Sequence, residues 1–320
     1  MNETRRDFLR KTLAGALCVG AATLPTPVSA MTQEIWKKTK KRPQAKRVLL
    51  LSLDGICTEG FKQAHTPNLD QLLAEGVLSM QTRVVMPSVT LPNWTSHLTE
   101  SGPEQHGVVD NDWEINKIKL PAIETDTEGY YPSVFRILKE NIPQMRTAFY
   151  YNWLNLFYPY NRNYLDEVSY LVEDAYVPNY KKALKFMTDN RELPTLIFLY
   201  SVHTDHAGHK YKWMSPQYLQ SIEEADAEIG RLLNNMQQAG LYDDTHFLFL
   251  TDHGGINYGH GGVTTHEMIV PWGITGPGIA KGICMNEPNN TVNTASVILR
   301  LFGAKQPDCW TGEVPHSIFE

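Results

Sequence analysis

The sequence predicts an α/β fold built on one mostly parallel central sheet with helices on both faces. Three observations carry that reading. From about residue 46 onward, short apolar runs bounded by turns alternate with longer stretches of helical spacing, the pattern of a chain that returns to one sheet through crossover helices. The clearest strands, Arg47–Leu53, 195–202 and 246–250, are continuous apolar runs, as strands buried on both faces are. The composition, 42% hydrophobic and 20% charged over 320 residues, is that of an ordinary globular chain able to form one large α/β unit.

The first thirty residues read as an export leader. A basic head (Arg5, Arg6, Arg10, Lys11) precedes an apolar middle over 13–24, and Val28-Ser29-Ala30 ends the segment with the small residues a signal peptidase accepts. Paired arginines followed by Phe8 and Leu9 resemble the twin-arginine signal of bacteria, which implies the twin-arginine export machinery as a partner and a periplasmic or secreted location. Pro25 and Pro27 break the apolar run, which falls short of the roughly 20 residues a membrane span needs, so no stable membrane anchor is expected. A short basic linker over 31–45 leads into a single domain, 46–320. The formal net charge of −6 offers no broad basic face, which excludes a nucleic-acid polymer as partner. With the leader removed, Cys57, Cys284 and Cys309 remain, too few for a disulfide framework.

Along that domain, helices are expected at 68–75 after Pro67 and at 133–140. The most regular is 218–239, where Ile222, Ala225, Ile229, Leu232, Leu233 and Met236 share one face and Gly240 supplies the stop; the last is 294–302 before Gly303. Arg146–Tyr151 and Ile269–Thr275 are weaker strand candidates. Between about 110 and 180 the chain becomes rich in Tyr, Trp, Asn and Pro, and that stretch reads as an inserted cap over the sheet edge.

Each clear strand runs into acids and histidines: Leu53 into Asp54, Val202 into His203-Thr204-Asp205-His206-Ala207-Gly208-His209, and Leu250 into Thr251-Asp252-His253-Gly254. In open α/β sheets, sites collect outside the carboxyl ends of the strands, so three segments remote in sequence should meet in one crevice. Asp205 and His209 are four apart; on a helical turn both face one ion. Imidazole mixed with carboxylate and no thiolate suits zinc, and manganese and iron also fit the ligand types, whereas all-oxygen magnesium or calcium sites fit worse. His260, in Gly259-His260-Gly261-Gly262, lies on a flexible loop. Hydroxyls at Ser88 and Thr90 precede Pro92, which is placed to open a helix through Trp94 and Leu98. A hydroxyl there sits among unpaired N–H groups that stabilise an anion, and a nearby metal would lower its pKa.

Taken together these segments resemble the alkaline phosphatase superfamily, in its type I phosphodiesterase/nucleotide pyrophosphatase branch. The anchors are Leu53-Asp54-Gly55, Thr66-Pro67-Asn68-Leu69, Thr90-Leu91-Pro92-Asn93, the Asp205-to-His209 pair, Thr251-Asp252-His253-Gly254, and His260-Gly261-Gly262 followed by Gly276-Pro277-Gly278. The resemblance implies an alkaline-phosphatase-like fold and a pair of zinc ions. Asp205, His209 and His260 would hold one ion, and Asp54, Asp252, His253 and Thr90 the other. It implies Thr90 as the nucleophile, with Ser88 dispensable, and Asn93 as amide donor to a phosphate oxygen. His266 is the rival third histidine. Leu91 stands where the family carries an aromatic, which weakens base stacking there. The implied activity is hydrolysis of a small-molecule phosphodiester or nucleotide substrate through a phosphothreonine. A phosphomonoesterase or phosphonate hydrolase is the alternative within the superfamily, and an exported zinc- or phosphoglycan-binding protein is the non-enzymatic one. No Cys-x-Pro-x-Arg or Ser-x-Pro-x-Arg segment occurs, which argues against a sulfatase, and no Arg or Lys lies between Met86 and Ser101, which favours a singly charged ester.

Overall fold

The computed structural model describes residues 45–172 and 174–319. The leader over 1–30, and all but the last residue of the linker, lie outside them. No helix among the described residues is long and apolar enough to cross a membrane.

Eight strands form one sheet in the order β4-β3-β5-β1-β6-β7-β2-β8. They are β1 (Arg47–Leu53), β2 (Gly76–Arg83), β3 (Arg146–Tyr151), β4 (Glu167–Tyr170), β5 (Thr195–Ser201), β6 (Thr245–Leu250), β7 (Ile269–Thr275) and β8 (Ile283–Cys284). β1 lies at the centre, parallel to β5 on one side and to β6 on the other. Every residue of β1 is buried, and its side chains alternate between two cores, Val48 and Leu50 in one, Leu49, Leu51 and Leu53 in the other. This is the period of a strand covered on both faces.

Helices supply the two covers. Against the first core pack α3 (Thr90–Thr99), α5 (Val134–Asn141) and α10 (Asn293–Phe302), through Trp94, Leu98, Phe135, Leu138, Ile298 and Leu299. The second core takes α1 (Thr58–Gln63), α2 (Pro67–Ala74), α6 (Val177–Asp189) and the long α8 (Pro216–Gln238), through Phe61, Leu69, Leu72, Tyr180, Ile222, Ile229 and Leu233. Three short helices complete the set: α4 (Pro103–His106), α7 (His203–Tyr211) and α9 (Thr265–Met268).

The sheet is mixed on one side, since β7 runs antiparallel to both β6 and β2. β2 escapes a reading for apolar runs because it carries Ser79, Gln81 and Arg83, is only half buried along its second half, and shifts register between Ser79 and Thr82. Within the stretch 110–180, β3 and β4 are strands of the sheet itself, while Tyr160 and Leu165 pack into the first core. The helix after the hydroxyl segment starts at Thr90, two residues before the expected Pro92. Proline still fits there because N–H groups of the first helical turn have no intrahelical partner.

Glu100 ends α3 in the left-handed region, φ 55°, fully buried beneath the segment around Gly312. Burial raises its carboxyl to about 8. A carboxyl raised on folding is held protonated by the native state while the unfolded chain ionises near the ordinary glutamate value, so stability falls as pH climbs from one value to the other. Glu100→Gln should therefore gain stability over the parent progressively between about pH 4.5 and pH 8. Urea unfolding across that range is the check; a constant difference would mean that Glu100 does not titrate on unfolding.

Candidate active site

The parallel register sets the site. Leu53 pairs with Ser201 and Ser52 with Leu250, so β1, β5 and β6 end level and the next residues of all three leave the sheet together. Asp54 follows β1 directly, α7 begins after Val202 and brings Asp205 on its first turn, and Asp252 and His253 follow β6. Gly55 has φ +70°, and a Cβ there would stand 3.0 Å from Asp205 Cα, Cβ and Oδ1, so only glycine lets the first strand end pass this close to the second.

All three aspartates are buried. Asp54 Oδ2 accepts hydrogen bonds from the Tyr200 hydroxyl and from Trp94 Nε1 (3.3 Å). Asp252 Oδ1 accepts from Gly55 N–H at 3.1 Å. Asp54 Oδ1, Asp252 Oδ2 and Asp205 Oδ1 are buried without a hydrogen-bond partner. Burial and then the Asp205 charge push Asp54 up to about 8; burial pushes Asp205 up to about 7; burial and the neighbouring Asp54 raise Asp252 well above the ordinary range.

Three imidazoles face these oxygens, each with Nδ1 donating to a backbone carbonyl: His253 to Gly254 O (2.8 Å), His209 to Tyr258 O (2.9 Å) and His260 to Ser88 O (3.0 Å). That choice of proton turns each Nε2 toward the acids. His253 Nε2 lies 3.2 Å from Asp252 Oδ2 and 3.4 Å from Asp54 Oδ1; His209 Nε2 is 3.4 Å from Asp205 Oδ2; His260 Nε2 is 3.7 Å from Asp205 Oδ1. Burial holds His253 well below the ordinary imidazole range and His260 down at about 4, so both are neutral and present lone pairs to carboxylate oxygens. Ionised acids against neutral imidazoles set acceptor against acceptor, which in a buried pocket is unfavourable unless a proton or a metal cation lies between.

The donors fit metal ions on that ground. Ligand atoms of Asp54, Asp252 and His253 form one compact group and those of Asp205, His253 and His260 another. His253 and His260 stack with ring centroids 3.8 Å apart. His209 reaches the second group through Asp205, and Thr90 Oγ1 reaches the first through His253 Nε2 at 3.2 Å. His266 is elsewhere, half exposed and 3.4 Å from Glu59.

Asn93 does not serve as expected. Its side chain is fully buried, its amide donates to Pro87 O (3.0 Å) and Val89 O (2.9 Å), and its Oδ1 accepts from Val85 N–H (2.8 Å). All of its polar capacity closes the loop that presents Thr90. Asn111 is what the sequence reading missed: its Oδ1 accepts the Leu91 N–H at 2.8 Å. The signal was indirect, because the residue before Thr90 is Val89, which has no polar atom to cap a helix, so a side chain from elsewhere does so. Tyr200 and Trp94, the partners of Asp54, sit among apolar core residues and gave no signal. Leu91 is fully buried in the first core and offers no face for stacking.

The sequence model of the type I phosphodiesterase / nucleotide pyrophosphatase family matches residues 48–270. Among curated relatives, ectonucleotide pyrophosphatase/phosphodiesterase family member 3 of Rattus norvegicus is 28% identical over 220 residues, 65% of this chain and 24% of its own length. Bis(5'-adenosyl)-triphosphatase ENPP4 of Bos taurus is 25% identical over 222 residues, covering 65% and 47%. The chain thus spans about a quarter to a half of the length of these relatives. Among solved structures, an inactive form of murine ectonucleotide pyrophosphatase / phosphodiesterase 5 in complex with AMP superposes with a TM-score of 0.71 at 14% identity, covering 84% of this chain and 98% of the other. The human counterpart gives a TM-score of 0.70 at 15% identity, covering 84% and 97%. The alkaline-phosphatase-like architecture is therefore the fold of this chain.

Removal of divalent ions by a chelator should lower the melting temperature, and zinc should restore it, since the orphaned acids are then left facing one another. His209→Ala and Asp252→Ala should each bind at least one ion about 10-fold or more weakly. Metal content by mass spectrometry is the check, and full occupancy in both variants would overturn the metal assignment.

Proposed function

The chain belongs to the type I phosphodiesterase/nucleotide pyrophosphatase family, and from that premise we propose that it is an exported hydrolase of phosphodiester or pyrophosphate bonds with Thr90 as nucleophile. One observation carries the reading: a buried hydroxyl on the first residue of a helix stands 3.2 Å from a histidine shared by two groups of acids and imidazoles. The leader motif in the sequence supports export.

Asp54, Asp252, His253 and Thr90 on one side, and Asp205, His209 and His260 on the other, would hold two zinc-class ions, which supply a lowered hydroxyl pKa and positive charge facing the phosphate. The protein's own groups do the rest. Thr90 sits at the N-terminus of α3, where the helix dipole favours an anion, while Leu91 N–H is held by Asn111 and Asn93 N–H by Val89 O. Asn111, held by Leu91 N–H, supplies its amide to a non-bridging oxygen, the role expected of Asn93. Thr90 Oγ1 attacks phosphorus in line and the alcohol or phosphate opposite departs. Water then cleaves the phosphothreonine from the vacated side, so two inversions give net retention.

Charge favours a diester. Among the described residues, the ion-pair partners of the three aspartates are histidines, and none is a lysine or arginine that would neutralise the second charge of a monoester. A cavity of about 440 Å³, lined by Ile115, Tyr130, Phe157, Tyr158, Asn161 and Arg162, is built from stretches that neighbour Asn111 and Asn155 in sequence, and Asn155 Nδ2 donates to Asn111 O. It offers the aromatic faces and amides that suit a nucleoside-like substituent, and that buried Leu91 does not.

Thr90→Ala should lower turnover of a nitrophenyl phosphodiester by about 10³-fold or more, as for other nucleophile deletions, while Asp54, Asp252 and His253 still bind metal. The parent should prefer the diester to the monoester and hydrolyse a chiral thio-substituted diester with retention. Inversion, or near-parental turnover by Thr90→Ala, would overturn the covalent route.

A further inference from the structure

Ser88 lies two residues before Thr90 and is fully buried. Its hydroxyl is engaged twice, donating to Gly262 O at 2.7 Å and accepting Gly261 N–H at 3.2 Å. Its carbonyl accepts the His260 Nδ1–H at 3.0 Å. One residue thus ties the loop that presents the nucleophile to the loop that carries His260 by three hydrogen bonds.

The His260 loop needs such fastening. Gly259, Gly261 and Gly262 flank the histidine, and glycine loses the most freedom on ordering. Gly261 takes φ +108°, and a Cβ there would stand 3.2 Å from Val89 Cγ1, so the two loops approach as closely as glycine allows. On the far side, Glu267 Oε1 accepts from Gly262 N–H (2.7 Å), and Oε2 accepts from the Thr264 amide (3.2 Å) and hydroxyl (2.6 Å). Hydrogen bonds to Glu267 hold its carboxyl below the ordinary glutamate range despite partial burial, which keeps it an ionised, strong acceptor.

We propose that Ser88 is a positioning residue that, with Glu267 opposite, clasps the His260 loop onto the nucleophile loop. The clasp fixes His260 with Nδ1 donating and Nε2 toward Asp205, and so sets the affinity for one of the two ions while it holds that ligand at constant spacing from Thr90. The inference rests on the two-ion reading above and extends it to a residue that touches neither ion nor substrate. Removing the hydroxyl leaves the Gly262 carbonyl and the Gly261 amide without their partner in a glycine-rich stretch, whereas the sheet and both cores keep their contacts.

The test is competition for bound zinc by a chromophoric chelator, run beside the melting temperature of the metal-free protein. The parent should bind two ions and His260→Ala one. Ser88→Ala should bind two but release one of them about 10-fold more readily, the other at the parental rate, with only a small fall in the metal-free melting temperature from the two lost hydrogen bonds. Ser88→Thr, which keeps the hydroxyl, should restore retention. Glu267→Gln, which loosens the other side of the same loop, should weaken the same ion whether or not the threonine variant folds. Parental release of both ions by Ser88→Ala, or equal loosening of both with a lower metal-free melting temperature, overturns the clasp. A parent that binds no zinc, or His260→Ala that keeps two ions, overturns the two-ion reading and the clasp with it.

Discussion

Three carboxyl groups buried within reach of one another are what this structure has to accommodate. Parallel pairing of β1 with β5 and β6 makes the strands end level, so Asp54, Asp205 and Asp252 enter one pocket by register alone. Burial raises all three, and repulsion from a neighbouring aspartate adds to it at Asp54 and Asp252. The opposite end of β1 shows how the chain treats a buried charge it means to neutralise itself: Arg47, fully buried, pairs with Asp244 and donates to the Leu241 and Arg191 carbonyls. At the acidic end no such partner appears among the described residues. A fold that tolerates one unpaired oxygen on each of three aspartates is arranged for charge brought from outside.

The histidines answer the same constraint through their tautomers. Each donates Nδ1–H to a main-chain oxygen, and those oxygens belong to Gly254, Tyr258 and Ser88, the first two in the loop between β6 and α9 and the third in the loop before α3. Main-chain carbonyls do not titrate, so the orientation of each ring is independent of pH in a way that a carboxylate partner would not ensure. Asp54 is oriented from the core side by Tyr200 and Trp94, which pack edge to face at 5.5 Å. Core packing and ligand direction are therefore one arrangement at that residue.

What could be read from the sequence follows from where the information lies. Strand ends were legible because a strand buried on both faces is a continuous apolar run, and the first acid after it marks the edge of the sheet. The four-residue spacing of Asp205 and His209 was legible because α7 is regular. Side-chain direction inside a loop was not. Asn93 and Asn111 stand equally well as amide donors on paper, but Asn93 turns back on Val85, Pro87 and Val89, while Asn111 arrives from beyond α4 to meet Leu91 N–H. β2, β4 and β8 escaped notice because a strand that is short or half exposed, like β2 with its register shift, carries neither a continuous apolar run nor a clean alternation. The antiparallel entry of β7 was equally invisible, since an apolar run does not record its direction.

Charge arithmetic at the site bears on what it accepts. Three carboxylates carry three negative charges, and the imidazoles are best placed as neutral ligands; two divalent cations would leave the pocket with a single net positive charge while Thr90 is a hydroxyl and with none once Thr90 ionises. A phosphodiester at neutral pH carries one negative charge and a monoester close to two. A monoester would therefore bring more negative charge to that pocket than a diester, and the ion-pair partners of the three aspartates among the described residues are histidines, not lysine or arginine. Low dielectric makes that excess costly, because an unpaired charge is felt more strongly in a buried pocket than in water. Under the proposed reading, a preference for diesters would follow from the lack of a lysine or arginine partner among the described residues of the site as much as from the ligands it supplies.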